Sequence, residues 1–199
     1  DTFDEVMSRF SESAKIPITL YGETYAVPVG QVPYFMFCRN DILGQLNLSV
    51  PETWDDVLAA IPDLQAKNMM IGLSTDYSVF LYQADGDLYA DGGMRINLDS
   101  KKGLTAFEKM CNMFTQYNFP YTYDAANRFR TGEMPILISG YTGLYNQLKV
   151  FATELDGCWT FVPVPGTLID AETNEIDNHT LSASSALVMV SGAKHIEDA

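Results

Sequence analysis

Positive charge, histidine and long apolar runs are scarce in this 199-residue sequence. Lys and Arg number 12 against 26 Asp and Glu, which leaves a formal net charge of −14. That balance argues against partners bound by neutralising phosphate, so we expect neither nucleic acid nor an anionic membrane surface to bind. No apolar run approaches the roughly 20 residues that a membrane-spanning helix needs. The opening residues, DTFDEVMSRF, are acidic and amphipathic, unlike a signal peptide.

Cysteine is also rare, and its pattern argues against a cross-linked or zinc-bound scaffold. The three cysteines, Cys38, Cys111 and Cys158, are odd in number and form no C-x-x-C pair. Each lies in an apolar run, so we predict that all three are small core residues.

Patterns of metal ligands are missing as well. His179 and His195 are far apart and have no close His or Cys partner in the sequence, so we interpret both as solvated side chains. The acidic segments 85–91 and 170–178 lack the ligand order of a calcium-binding loop and are typical of turns. We therefore expect no metal and no cofactor.

The common catalytic motifs do not occur either. There is no nucleophile elbow, no phosphate-binding lysine loop and no dinucleotide fingerprint. The acidic residues could supply the paired carboxylates of a glycoside hydrolase, although none stands in a recognisable strand-end motif. A carbohydrate-active hydrolase and a non-catalytic structural interaction domain stay open as alternatives to a binding protein.

Hydrophobic patterning predicts alternating strands and helices. Thr53 followed by Asp56 is a capping-box variant that begins an amphipathic helix, and residues 77–83 are predicted to be the start of another helix. The strongest helix, 101–117, carries an apolar stripe that we expect to face the core: Leu104, Phe107, Cys111, Phe114 and Tyr117. We interpret FMFCR, MMIGLST, MPILISG and ASSALVMVSG as buried strands, ITLYGETYAVPV as a hairpin and AKHIEDA as the start of a helix. This order is typical of an α/β fold with a mixed sheet flanked by helices.

Aromatic residues gather at the predicted junctions between strands and helices: Tyr34, Tyr77, Tyr141, Tyr145 and Trp159. Ligands of α/β sheets bind beyond the carboxyl ends of strands. There an aromatic ring can stack on the apolar face of a sugar while polar groups bind its hydroxyls. Packing in the core is the alternative interpretation of each ring.

Several motifs together resemble the bacterial family 1 extracellular solute-binding proteins of ABC importers. They are GETYAVPVGQVPYFMFCRNDIL, then LNLSVPETWDDVL, FRTGEMPILISGYTGLYNQL, CWTFVPVPG and SASSALVMVSGAKH. The likeness runs from about Ile18 to the end of the sequence. One departure is Ala183-Ser184-Ser185, where the family usually has two glycines.

The resemblance implies a periplasmic-binding-protein-like fold of two α/β lobes that close on a ligand like a hinge. Residues 1–39 would be the end of the first lobe and the first hinge crossing. Residues 40–161 would be the second lobe, and 162–199 the second crossing and a return strand towards the first lobe. This chain would then carry one lobe plus hinge strands, and at most half of a ligand site.

The resemblance also implies a function, which is non-catalytic binding of a sugar or oligosaccharide for an ABC importer. The partners would be that ligand and the membrane permease subunits. The location would be outside the cytoplasm, on a cell-surface lipoprotein or in the periplasm, with the signal sequence outside these 199 residues. The expected ligand-binding residues follow strands or crossings, and of these Trp159 fits the core equally well: Gln31, Tyr34, Asp76, Tyr77, Tyr141, Thr142, Trp159 and Ser184.

Overall fold

The computed structural model describes residues 2–194 and divides into two compact units. The smaller unit contains the residues up to Val32 together with those from Ser182 onward, and the larger unit is Pro33–Leu181. Contacts thus group 33–39 and 162–181 with the larger unit. The assignment of 1–39, 40–161 and 162–199 to lobes and hinge crossings stays a prediction. His195 and the helix predicted around it lie outside the described residues.

The α-helices of the described chain are α1 (Phe3–Met7), α2 (Glu12–Lys15), α3 (Asn40–Gln45), α4 (Trp54–Gln65), α5 (Tyr77–Gln83), α6 (Lys101–Thr115), α7 (Ala125–Thr131) and α8 (Gly143–Phe151). Its strands are β1 (Thr19–Leu20), β2 (Glu23–Thr24), β3 (Val27–Pro33), β4 (Phe35–Arg39), β5 (Ile71–Ser74), β6 (Tyr89–Ala90), β7 (Arg95–Ile96), β8 (Ile136–Ser139), β9 (Trp159–Pro163), β10 (Thr167–Asp170), β11 (Glu175–Asp177) and β12 (Ser182–Leu187). Among residues 2–194, no helix is both long and apolar enough to span a bilayer.

A four-stranded mixed sheet in the order β5-β8-β4-β9 organises the larger unit. Strands β5 and β8 are parallel, and β4 runs antiparallel to both of its neighbours, β8 and β9. Apolar side chains leave both faces of the central strands: Met36 and Cys38 pack with α4 and α5, while Phe37 and Leu137 pack with α7 and α8. Burial on both faces explains why these strands are continuously apolar in sequence. The predicted mixed sheet flanked by helices is confirmed.

The predicted capping box begins α4. The Thr53 hydroxyl accepts a hydrogen bond from the backbone N–H of Asp56 at 3.1 Å, and Asp56 accepts one from the backbone N–H of Thr53 at 2.9 Å. Hydrogen bonds from Thr53, its hydroxyl first, lower the pKa of the Asp56 carboxyl. Two otherwise unpaired backbone donors are satisfied in this way, which stabilises the first turn.

Only the second half of the apolar stripe predicted for α6 packs on the core: Phe114 and Tyr117 contact the main core cluster, and Cys111 is half-buried. Leu104 and Phe107 are 59% and 53% exposed, and the buried positions are instead Gly103, Ala106 and Met113. The small residues Gly103 and Ala106 explain this pattern of burial, because they allow the first half of α6 to approach both α5 and the loop that precedes α6. At Gly103 a Cβ atom would lie only 2.4 Å from the carbonyl oxygen of Leu98.

The cysteine prediction holds best for Cys38. It is fully buried in β4, and burial raises the pKa of its thiol to about 12. Cys111 and Cys158 are half-buried, and all three are free thiols. Such a buried, protonated sulfur packs as a small apolar group.

The smaller unit contains the predicted hairpin, β1–β2, and a two-stranded sheet of β3 and β12. Its core is small and includes Met7, Ile18 and Ala26. The prediction that the last strand is buried is wrong, since β12 is exposed except at the half-buried Ala186. A two-stranded sheet over so small a core covers little of either strand, which explains that exposure.

Candidate functional site

Strand directions bring several of the expected ligand residues to one edge of the mixed sheet. The parallel strands β5 and β8 end level with each other at Ser74 and Ser139. The antiparallel strand β4 begins there, because Phe35 pairs with Ser139. We call this the carboxyl edge: the end of β5, the end of β8 and the start of β4. Tyr34, Asp76, Tyr77, Tyr141 and Thr142 all follow or precede strands at this edge.

Tyr34 is half-buried at the start of β4 and packs against the chain that leaves β8. A Cβ atom on residue 140 would lie 2.8 Å from a ring carbon of Tyr34, so glycine at 140 makes room for the ring. Burial, and secondarily the negative charge of Asp76, raise the pKa of the Tyr34 hydroxyl. The two side chains are therefore electrostatic neighbours at the carboxyl edge.

Asp76 and Tyr77 begin α5 directly after β5. The exposed Asp76 carboxylate caps the helix, accepting hydrogen bonds from the Ser78 backbone N–H at 2.8 Å and from the Ser78 hydroxyl at 2.5 Å. The Tyr77 hydroxyl donates to the carbonyl oxygen of Gly103 at 2.7 Å. This hydrogen bond holds the Tyr77 ring against α6, where it meets the ring of Phe107 edge to face.

Tyr141 and Thr142 connect β8 to α8. The Tyr141 backbone N–H donates to the Ser139 hydroxyl at 3.0 Å. The Tyr141 ring lies over Gly143, where a Cβ atom would come within 2.6 Å of it, and its hydroxyl accepts a hydrogen bond from Gln147 at 3.2 Å. Although positioned by these contacts, Tyr141 is 55% exposed.

The structure does not bring every expected residue to this edge. Trp159 pairs with Arg39, so it lies at the opposite end of the sheet, where it packs against Phe37 and Tyr145. Gln31 and Ser184 belong to the smaller unit, and both are exposed. Within that unit the Gln31 amide donates to the carbonyl oxygen of Ser13 at 3.2 Å.

Comparison with protein families identifies the family of the chain. A family model described as bacterial extracellular solute-binding protein matches residues 2–199. The chain belongs to this family. The resemblance found in the sequence motifs is therefore confirmed. A comparison with curated protein sequences gives no match.

Solved structures similar to this chain are two-lobed and periplasmic-binding-protein-like. The GacH receptor of Streptomyces glaucescens, solved unliganded and with acarbose, has a TM-score of 0.75 at 17% identity over 96% of this chain and 50% of its own. An ABC transporter solute-binding protein of Thermotoga lettingae, bound with α-D-tagatose, has 0.73 at 19% identity over 98% and 52%. The sugar-binding protein MalE of Xanthomonas citri has 0.73 at 18% identity over 100% and 54%. The chain thus spans about half the length of these structures, whose likeness shows the fold.

Two features of the carboxyl edge were not predicted from the sequence. The Thr75 hydroxyl is buried beside Asp76 and has no hydrogen-bond partner among residues 2–194. Gly140 provides the space that the Tyr34 ring occupies. Neither is visible in a hydrophobic pattern, although a polar residue between a strand end and a helix cap is a signal that could have pointed to Thr75.

The carboxyl groups among residues 2–194 that have a clear pKa shift share one direction. Each carboxyl group whose pKa is shifted is shifted downward; for Asp41 the first cause is its hydrogen bond with Arg39. A general acid in glycoside hydrolysis needs a raised pKa. Within the described residues, no three His, Cys, Asp or Glu side chains are grouped to hold a metal ion.

Proposed function

We propose that this chain is one lobe of the substrate-binding component of an ABC importer and binds a sugar or oligosaccharide without catalysis. The observation that carries the proposal is the composition of the carboxyl edge. Partly exposed rings of Tyr34, Tyr77 and Tyr141 and the exposed Asp76 carboxylate all belong to this edge. Rings suit the apolar faces of a pyranose, and the carboxylate suits its hydroxyls.

Binding in this proposal is hinge closure of two lobes. The carboxyl edge supplies one half of the ligand site, and a ligand that touches both lobes has a higher affinity for the closed form than for the open form. Its binding shifts the population towards closure by that difference in affinity. No covalent step is required. Ser184 and Gln31 stay predicted ligand residues.

The proposed partners follow from the same function. Permease subunits in the membrane would receive the ligand from the closed receptor, and the receptor would work outside the cytoplasm, lipid-anchored or in the periplasm. Membership of a family of bacterial extracellular solute-binding proteins supports this location. The alternative of a structural interaction domain requires that the aromatic rings at the strand–helix junctions be buried, whereas Tyr141 is 55% exposed.

A thermal-shift screen tests the proposal with the natural-length protein. The panel contains gluco-, galacto-, manno- and fructo-oligosaccharides of one to five units, a polyamine and a tripeptide. A specific ligand raises the melting temperature by mass action, and we expect at least one sugar to do so. If the polyamine or the tripeptide raises it and no sugar does, the sugar assignment is wrong. Release of a reducing end from a bound sugar would instead support the hydrolase.

A further inference from the structure

Two apolar side chains on α6 have no explanation in the packing of the larger unit. Leu104 and Phe107 lie on the apolar stripe of the helix, yet more than half of each is exposed. Phe107 in particular leaves a large ring at the surface beside Tyr77. An exposed aromatic ring next to a candidate ligand site indicates a binding surface, because a ligand that covers the ring would bury its apolar area.

The rings of Tyr77 and Phe107 form a corner of fixed geometry. Their centroids are 6.2 Å apart and their planes are inclined at 67°. The Tyr77 hydroxyl is held by the carbonyl oxygen of Gly103 at 2.7 Å, and that carbonyl belongs to the first turn of the helix that carries Phe107. Both rings are therefore positioned by one rigid element, and little rotational freedom remains for Tyr77 to lose when a ligand binds.

This corner continues the carboxyl edge outwards. Tyr77 follows Asp76 directly, and Asp76 lies near enough to Tyr34 for its charge to act on the Tyr34 hydroxyl. The Tyr77 hydroxyl in turn bonds to Gly103 in the first turn of α6, so the corner joins the carboxyl edge to that helix. A ligand at the edge that extends towards α6 would meet the aromatic corner.

We infer that Tyr77 and Phe107 form an outer subsite for a second or later ring of an oligosaccharide. This inference rests on the proposed function and goes further, since it selects oligosaccharides over monosaccharides. One ring of the corner offers a face for stacking, and the exposed Asp76 carboxylate beside it accepts hydrogen bonds from sugar hydroxyls. Preorganised aromatic contact area is the kind of surface that gains affinity with little loss of side-chain entropy.

Calorimetric titration of the natural-length protein with the sugar series of one to five units tests the subsite. For each sugar that binds, we expect Phe107→Ala to weaken the longer members by about three- to tenfold, the effect of losing one aromatic contact, and to leave the shortest member unchanged. Phe107→Leu keeps apolar bulk without a ring face and should show the same loss. Leu104→Ala, on the same exposed stripe, should change the affinity for neither the longer nor the shortest members.

The outcomes separate this inference from the proposed function. If the wild-type protein binds sugars and Phe107→Ala weakens all lengths equally or none, the subsite is disproved while the receptor function stands. If Phe107→Leu restores full affinity, the corner acts as a general apolar contact and stacking is disproved. If the wild-type protein binds no sugar of the series, both proposals fail together. Because Phe107 is half exposed, an unchanged melting temperature of each variant confirms that the fold is intact.

Discussion

The ring of Tyr34 occupies the space into which a side chain at Gly140 would grow. A Cβ atom on residue 140 would lie 2.8 Å from one ring carbon and 2.9 Å from another. The two residues flank adjacent antiparallel strands, since Tyr34 comes just before β4 and Gly140 just after β8. The position of the candidate ligand ring is thus set by the absence of a side chain on its neighbour.

Gly140→Ala should therefore displace the Tyr34 ring. We expect a loss of about 1–3 kcal/mol in the free energy of unfolding, as for other overpacking substitutions, together with weaker sugar binding. Urea denaturation and calorimetric titration measure the two effects. Gly44→Ala is the matched control, because Gly44 is an exposed helical residue with nothing within 4 Å of an added Cβ. That variant should be more stable by up to about 1 kcal/mol. Equal free energies of unfolding and equal sugar affinities of the two variants would contradict the steric account.

The buried side-chain amide of Gln83 joins three parts of the larger unit. The Trp54 indole N–H donates to the Gln83 side-chain oxygen at 2.8 Å, and the Gln83 amide nitrogen donates to the carbonyl oxygens of Pro165 and His179 at 3.0 and 3.1 Å. Gln83→Leu leaves the indole donor buried without a partner. We expect the free energy of unfolding to fall by about 2–4 kcal/mol, measured by urea denaturation.

The control for this amide is Gln65→Leu at the exposed end of α4. A change within about 0.5 kcal/mol is expected there. If Gln83→Leu costs no more than Gln65→Leu, the amide is not a structural junction.

A pH-dependent stabilisation is expected where β4 meets α3. Arg39, 7% exposed, donates to both carboxylate oxygens of Asp41 at 2.9 and 2.7 Å and to the carbonyl oxygens of Phe129 and Arg130. The hydrogen bond from Arg39 is the first cause of the lowered pKa of Asp41. A carboxyl group with a lowered folded-state pKa adds stability above its ordinary value of 3.8, and that stability is lost as the pH falls through the folded-state pKa.

Asp41→Asn tests this linkage. At pH 7 the variant should be less stable by about 1–2 kcal/mol, since the Asp41 side chain is 30% exposed and the pair is partly screened. The difference from the wild-type protein should close below pH 3.8. Asp63→Asn, at an exposed position of α4, serves as the control in chemical denaturation across this range. A constant difference at every pH would show that the loss is steric.

Local signals in the sequence predicted local structure well. Thr53 and Asp56 specify the start of α4 because both partners of the capping box lie within one turn. The helix predicted to start at Tyr77 is α5, which begins there. In both cases the contacts that decide the structure are between residues close in sequence.

Properties that depend on distant contacts were predicted less well. Trp159 stands next to a strand end in the sequence, but β9 runs antiparallel to β4, which places its first residue away from the carboxyl edge. The stripe on α6 has the correct period, yet the small residues Gly103 and Ala106 decide which side is buried. Strand direction and the close approach of two helices are set by residues far apart in the chain, so periodicity alone does not contain them.

The most direct test of the carboxyl edge is one calorimetric comparison on the natural-length protein, with the sugar that raises its melting temperature most. Tyr141→Ala removes a ring that the account places in the ligand site, and Tyr121→Ala removes one that is 88% exposed elsewhere in the larger unit. We predict that Tyr141→Ala weakens binding by about tenfold and that Tyr121→Ala leaves it unchanged. Equal affinity of the wild-type protein and the Tyr141→Ala variant would contradict the account.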